Sequence, residues 1–225
     1  MKGNAEAIYS ALSSHGWSFM AVVAALGNGT HESGGLNPGQ CEQGRGTPYP
    51  GTVKYGGGLG LWQWTDYPYS YTATYNHPLL WNADRLHEPW YSGNFQCELL
   101  NLCTDPTAIN TDPAAGGSTW GWVNMAQYGY PGMEFTQFKV ASGTRENVDY
   151  YTRVFYHCFE SKGGDDGSLS SRIQWALYWW DYLMGTSPDP PTPDPPSPDP
   201  DPPIPVVKSN RSNWIYYLPH PNFRS

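Results

Sequence analysis

Glu32 and a glycine- and tryptophan-rich block about thirty residues later have the residue types that could cleave a sugar polymer. Glu32 lies in the segment GNGTHESGGLNPG at residues 27–39, and the block reads GGGLGLWQWTD at residues 56–66. A carboxyl group that donates a proton near neutral pH needs apolar surroundings, which raise its pKa. Sugars are bound by flat aromatic surfaces and a few directed hydrogen bonds. The two segments therefore predict acid catalysis on a glycan, with Glu32 as the proton donor.

The same block supplies candidates for binding the glycan. Gln63 can donate and accept hydrogen bonds with a sugar amide or hydroxyl group. Trp62 and Trp64 can stack on pyranose rings, and Tyr67 just beyond them would help to position the glycan. The glycines would let this segment pack closely against Glu32. The alternative interpretation is a β-hairpin whose tryptophans belong to the core.

A second group is needed for hydrolysis, because water must be activated or a nucleophile must attack the sugar. Asp66, at the end of the block, is the first candidate for this role. Glu42 is the second candidate and could also bind substrate, and Glu160 is the third. Glu160 is also interpreted as a structural residue that pairs with Arg172 across the fold, or as a plain surface residue.

The elements that would position these residues are mostly helices. The run MAVVAAL at residues 20–26 is apolar on all sides and predicts a buried helix, capped by Ser18 and ending near Glu32. Glycine-, proline- and tyrosine-rich residues 37–75 predict loops or short hairpins. Further helices are predicted through residues 4–13, 98–102, 148–159 and 173–183. The expected fold is therefore an α-rich α+β domain with long loops and a small β-hairpin.

Composition argues against two classes of partner. The formal net charge of −8 argues against nucleic acid, whose binders are usually basic. No apolar run reaches the roughly 18 residues of a transmembrane helix, so no membrane insertion is expected. The first residues lack the apolar segment of a secretory signal, which fits a protein released by cell lysis that works outside the cell.

The chain divides into three parts. Residues 1–186 are predicted to form one globular domain. Residues 187–207 are rich in proline and aspartate and predict an extended, semi-rigid linker. Residues 208–225 form a short tail, whose WIYYL cluster would dock on a partner or on the domain. The alternative is a flexible C-terminal end. The linker suggests a lytic domain on a stalk that is attached to something larger or cut from a longer protein.

Four cysteines could form two disulfides in three connectivities. Cys97 and Cys103 would point to different faces of one helix, which favours pairing with Cys41 or Cys158. No C-x-x-C pair occurs and the six histidines are scattered, so no metal or other cofactor is expected. Catalysis by a thiol, for example at the adjacent His157 and Cys158, is not favoured because no nucleophile motif surrounds them.

Taken together, these motifs resemble the tail-associated lysozyme domain of phage tail-tip lysins. The resemblance rests on GN at 27–28, ES at 32–33, LNPG at 36–39 and GLGLWQWT at 58–65, and it covers about residues 3–184. It places the chain in the lysozyme-like group with goose-type lysozymes and lytic transglycosylases. It implies that Glu32 is the catalytic acid and that the substrate is the MurNAc-GlcNAc backbone of bacterial peptidoglycan. It also implies a virion-tail protein that acts outside the cell and opens the wall locally during genome injection.

The sequence departs from the simplest pattern of that family. Residues 38–56 form a long loop, and residues 104–133 resemble an aromatic-rich insertion. The sequence therefore does not predict the shape of the substrate cleft. If no second carboxylate lies within about 10 Å of Glu32, the resemblance allows a lytic transglycosylase, in which the 6-hydroxyl of the substrate closes an anhydro ring. A third alternative is a catalytically silent wall-binding or structural tail-tip module that assembles with other phage tail proteins through the linker and tail.

Overall fold

Helices make up nearly all regular structure in the part of the chain that the computed structural model describes. The described residues are 1–44, 46–49, 51, 55–65, 78–103, 121–161, 164, 166–186 and 190–191. Their α-helices are α1 (Lys2–Ser14), α2 (Phe19–Glu32), α3 (Pro78–Leu86), α4 (Gly93–Asn101), α5 (Phe135–Lys139), α6 (Val148–Phe155) and α7 (Leu169–Leu183). The prediction of an α-rich domain is confirmed. Among these helices, none combines the length and apolar character that crossing a bilayer requires.

Helix α2 is the central element of the compact unit Met1–Pro191. Its residues 20–30 are all buried, as the apolar run predicts, and it packs against α1, α6 and α7. The Ser18 side chain accepts a hydrogen bond of 3.2 Å from the backbone N–H of Ala21, which caps the helix at its predicted start. Because α2 is enclosed along its length, the position of Glu32 at its end is fixed by the core.

Helix α6 continues into a π-helical turn, Tyr156–Glu160. A π-turn changes the direction in which the following side chains leave the helix, and such turns are frequent at functional sites. Most of this turn is buried, and α6 packs against both α2 and α7. The chain thereby brings Glu160 towards the side of the domain that α7 shares with the end of α2.

Residues 40–64 contain two isolated antiparallel bridges, which join Cys41 to Leu59 and Leu59 to Trp64. Within the described residues, this segment has no regular strand, so the predicted small β-hairpin is reduced to single bridges. The bridging residues exchange backbone hydrogen bonds of 3.0 and 2.8 Å between Leu59 and Trp64. The reversal between them is tight because Gly60 and Gln63 adopt positive φ angles of 78° and 44°.

Buried Gln96 anchors this segment to α4. Its Oε1 accepts a 2.7 Å hydrogen bond from the backbone N–H of Leu61, and its Nε2 donates to the carbonyls of Pro38 and Trp90, each at 2.8 Å. One fully buried amide therefore joins three loops. The contact also explains Gly60, where an added Cβ would lie 2.3 Å from the same Oε1.

The predicted disulfides are not formed. Cys41, Cys97 and Cys158 carry free thiols, so neither Cys97 nor Cys103 is paired with Cys41 or Cys158 as the sequence suggested. Burial raises the pKa of Cys97 to about 12. A buried thiol with so high a pKa stays protonated and packs as a small apolar side chain.

Candidate active site

Glu32 lies at the last residue of α2, where the helix leaves the core. The next residue, Ser33, is buried, and its hydroxyl donates a 2.6 Å hydrogen bond to the Gly29 carbonyl and accepts one of 3.2 Å from the Asn37 N–H. These bonds close the helix end and direct the chain into the LNPG loop. The Glu32 side chain keeps 21% of its surface exposed. Its carboxyl group is therefore fixed by a buried helix and still accessible from solvent.

Arg172, from the first turns of α7, is the direct partner of Glu32. Its side chain is only 2% exposed, and its Nη2 donates a hydrogen bond to Glu32 Oε1. Its Nε donates to Ser168 Oγ at 2.7 Å and its Nη1 to Asn28 Oδ1 at 3.3 Å. Asp166 Oδ2 lies 3.9 Å from Nη2. Each nitrogen of the guanidinium thus has a polar partner, as a buried charge requires.

Asn28 holds Arg172 in place from inside α2. Its Nδ2 donates to the carbonyls of Ala24 at 2.9 Å and Thr152 at 3.3 Å, so its Oδ1 is directed at the guanidinium. The ring of Tyr156 lies under the same guanidinium, 4.8 Å from its centroid. Burial would lower the pKa of Arg172, but the charges of Glu32 and Glu160 raise it overall. Arg172 is therefore a permanent cation at the centre of the site.

Asp166 and Tyr156 form a second hydrogen-bonded group on the Arg172 side. The Tyr156 hydroxyl donates to Asp166 Oδ1 at 2.9 Å and accepts from the Asp166 N–H at 3.0 Å. The Ser168 N–H also donates to Asp166 Oδ1, at 2.9 Å. Burial acts to raise the pKa of Asp166, but the hydrogen bonds from Ser168 and Tyr156 and the charge of Arg172 lower it overall. Asp166 is thus ionised and orders the start of α7.

Glu160 is the second carboxyl group near Glu32. Its Oε1 is buried and has no hydrogen-bond partner among the residues that the structure describes. Burial raises its pKa well above the usual value, and the charge of Glu32 raises it further, while Arg172 opposes both. The sequence suggested that Arg172 pairs with Glu160. The structure corrects this, because Arg172 donates its hydrogen bond to Glu32 and acts on Glu160 through charge.

Glu42 and Gln63 shape the glycine-rich block itself. Glu42 Oε2 accepts a 2.9 Å hydrogen bond from the Gly58 N–H, and the Glu42 N–H donates to the Gly58 carbonyl at the same distance. Gln63 is half-buried, and its Nε2 donates to the Gly60 carbonyl at 3.1 Å. Both side chains therefore hold the backbone of the block, and binding to substrate remains a proposal for each.

Trp62 and Trp64 are core residues. Each is 1% exposed, and their rings meet edge to face with centroids 6.5 Å apart. Trp62 Nε1 donates to the Ala25 carbonyl at 3.2 Å, and an added Cβ at Gly29 would lie 3.0 Å from that nitrogen. With both rings enclosed, neither offers a face to a sugar, contrary to the predicted stacking. They instead fasten the block to α2 just before Glu32.

Two predicted site residues, Asp66 and Tyr67, lie outside the described residues. Four residues that contact Arg172 were not predicted as site residues from the sequence: Asn28, Tyr156, Ser168 and Asp166. Asn28 had a recognisable signal, because it is a polar residue in an apolar helix, four positions before Glu32 and on the same face. The D-x-S pattern of residues 166–168 before a helix is a weaker signal. The described residues contain no cluster of His, Cys, Asp and Glu placed to hold a metal ion.

The chain was compared with models of known protein families and with curated proteins. The family model described as phage tail lysozyme matches residues 3–183, from the start of α1 to the end of α7. The match includes Glu32, Arg172, Glu160 and the glycine-rich block. No curated protein matches the chain. Since the family model covers most of its length, the chain belongs to the phage tail lysozyme family, lysozyme-like proteins of the virion tail that act on bacterial peptidoglycan.

Proposed function

We propose that the chain is a muramidase that cleaves the β-1,4 bond between MurNAc and GlcNAc, with Glu32 as general acid. The supporting observation is Glu32 itself, which lies at the end of a buried helix, is hydrogen-bonded to a buried arginine and has a side chain that is still 21% exposed. The family supplies the substrate class, since lysozymes act on peptidoglycan. Local cleavage of this kind would open the cell wall for genome entry from the virion tail.

Arg172 would stabilise Glu32 once Glu32 has given up its proton. Protonated Glu32 would transfer its proton to the glycosidic oxygen while the bond to the sugar carbon breaks and an oxocarbenium-like centre forms. The donor then becomes a carboxylate directly beside a guanidinium, which stabilises the product of the transfer. The position of Arg172 is fixed, because its Nε and Nη1 donate hydrogen bonds to Ser168 and Asn28. Glu32 is thus placed to release a proton in a defined direction.

The remaining roles follow the order suggested by the sequence. Asp66, which directly follows the described end of the block at Thr65, is our first candidate for the group that activates water. Glu42 is less suited, because its Oε2 already binds the Gly58 N–H. Gln63 and Tyr67 are the candidates for contacts with the glycan. We also propose that residues 187–225 connect the domain to other tail proteins.

Replacing Glu32 with glutamine tests the acid assignment. We expect release of reducing ends from purified peptidoglycan to fall by about 10²–10⁴-fold, the usual contribution of a general acid. Glu98→Gln is the matched control, because it removes an exposed carboxylate from α4 and should leave the rate unchanged. Undiminished activity of Glu32→Gln would refute the assignment, and walls left intact by the wild-type protein would favour a catalytically silent module.

A lytic transglycosylase is the second candidate. It is favoured by the position of Glu160, whose charge interaction with Glu32 makes it the nearest alternative to Asp66, because its buried Oε1 is not available to activate water. In that reaction the 6-hydroxyl of MurNAc closes a 1,6-anhydro ring. Mass spectrometry of the released muropeptides distinguishes the two reactions, since the anhydro product is lighter by one water.

A further inference from the structure

Glu160 has a buried carboxyl oxygen, Oε1, and the proposed mechanism gives this side chain no role. Glu160 is the last residue of the π-turn Tyr156–Glu160, and three charged side chains from other parts of the chain interact with it electrostatically. Glu32 comes from α2, Arg172 from α7, and Asp166 from the segment before α7; all three act on Glu160 through charge. Its Oε1 is buried without a hydrogen-bond donor among the described residues. A carboxylate left in this way would lack the donors that normally accompany a buried charge.

The charges of the cluster favour retention of one proton. One guanidinium, Arg172, faces the carboxyl groups of Glu32, Glu160 and Asp166, so full ionisation would leave an excess of two negative charges. Asp166 is satisfied by donors from Tyr156 and Ser168, and Glu32 by Arg172. Glu160 is the carboxyl group with a buried oxygen that lacks such a donor. The proton therefore resides on Glu160 when Glu32 forms the ion pair.

This placement raises a difficulty for the acid mechanism, because a donor must carry a proton whereas an ion pair with Arg172 uses the ionised carboxylate. We propose that Glu32 and Glu160 share one proton, so that Glu160 stores the proton that Glu32 delivers and Arg172 stabilises whichever carboxyl group is ionised. Glu160 is then a positioning residue, since it acts through Glu32 and does not touch the substrate. The proposal rests on the proposed role of Glu32 as general acid.

The transfer balances within the cluster. The O–H bond of Glu160 breaks, an O–H bond forms on Glu32, and one negative charge passes from Glu32 to Glu160. Arg172 keeps its charge and exchanges one anionic neighbour for the other, so the net charge of the cluster does not change. Two carboxyl groups coupled in this way titrate as a pair. The pair takes up a new proton from solvent after Glu32 has protonated the glycosidic oxygen.

A carboxyl-carbon NMR titration of the full chain, labelled at glutamate, tests the coupling without any need for activity. We expect Glu160 to remain protonated well above about pH 4.3, the ordinary pKa of a glutamate side chain in a peptide. In Glu32→Gln, the Glu160 titration should move to lower pH, because the neighbouring negative charge is gone. Titration of Glu160 at that ordinary value, or an unchanged Glu160 titration in Glu32→Gln, would overturn the proposal.

The pH profile of Glu160→Gln tests the link to catalysis. Glutamine is isosteric with protonated glutamate but has no proton to transfer, so Glu32 must take its proton from solvent. We expect the alkaline limb of the activity profile to move towards lower pH. Activity at neutral pH should then fall by up to about tenfold for every pH unit that the limb moves. Glu160→Asp should restore part of the activity, and Glu98→Gln should match the wild type.

The outcomes separate the two proposals. A loss in Glu160→Gln that is equal at every pH, or no loss at all, indicates a purely structural side chain and overturns proton sharing. Thermal unfolding of each variant shows whether the variant is folded, and the NMR titration provides the answer if Glu160→Gln is not. If the wild-type chain leaves walls intact while the two carboxyl groups titrate together, the muramidase proposal fails and the shared proton stands.

Discussion

Replacing Gly27 with alanine tests the close contact between α2 and α7 that holds Glu32 beside Arg172. A Cβ at this position would lie 2.6 Å from the Cβ of Ala176 and 2.6 Å from the carbonyl oxygen of Arg172. It would also lie 2.9 Å from the Cα of Ala176. Two of these three atoms belong to the backbone, so no side-chain rotation relieves the clash. The helices themselves must move apart.

The size of that movement sets the expected cost. Ordinary van der Waals contact begins at 3.4 Å, so the helices must separate by about 0.8 Å to accept the methyl group. Overpacking of a closely packed core costs about 1–3 kcal/mol. Alanine recovers up to about 1 kcal/mol of helix propensity relative to glycine. Because the clash meets backbone atoms, we take the upper part of that range, about 2–3 kcal/mol. After the gain of about 1 kcal/mol in helix propensity, Gly27→Ala should lower the free energy of unfolding by about 1–2 kcal/mol.

Urea unfolding at neutral pH measures this difference, and Gly3→Ala is the matched control. Gly3 lies in α1 with nothing within 4 Å of an added Cβ, so its replacement should leave stability unchanged or raise it by up to about 1 kcal/mol. Because the clash involves the Arg172 backbone, Gly27→Ala should also reduce wall-cleaving activity. A Gly27→Ala protein as stable as the wild type would refute the argument.

Two further predictions concern the buried charges. Arg172→Lys keeps the charge but loses the hydrogen bonds to Ser168 and Asn28, so urea unfolding should show a loss of about 2 kcal/mol; a change below about 0.5 kcal/mol would contradict this. Glu160 has a raised pKa in the folded chain. Its contribution to stability is therefore fully present below its unfolded-state pKa of about 4.3 and is lost as pH rises towards the folded value. Glu160→Gln should not show that loss, and parallel pH profiles of unfolding free energy for the two proteins would contradict the prediction.

The position of Glu32 was predictable from local sequence. An apolar run without a polar face predicts a buried helix, and the helix carries whatever follows it to the edge of the core. The same reasoning could also have identified Asn28, which shares the Glu32 face of α2, but Asn28 was not singled out from the sequence. Arg172 lies 140 residues from Glu32 in sequence, and no local pattern predicts which carboxyl group accepts its hydrogen bond. Charge alone suggested Glu160, whereas the packing of α7 on α2 selects Glu32.

The tryptophans show why residue type does not distinguish a binding surface from a core. Trp62 and Trp64 have the properties that suit sugar stacking, and the same properties suit burial. What decides between the two is the path of the backbone, set here by Gln96 and by the positive φ angles of Gly60 and Gln63. The tryptophans of the block therefore belong to the core and fix the block against α2.

The π-turn connects the fold to the shared proton. If α6 continued as a regular α-helix, the side chain at position 160 would leave the helix in a different direction. The π-turn instead directs Glu160 into the cluster of Glu32 and Arg172, where its desolvation is costly for the ionised form. A surface carboxyl group would exchange its proton with solvent and could not hold it for Glu32. The irregular turn and the unpaired buried oxygen thus have one explanation, because the burial that would be costly for a structural glutamate is what enables Glu160 to store a proton.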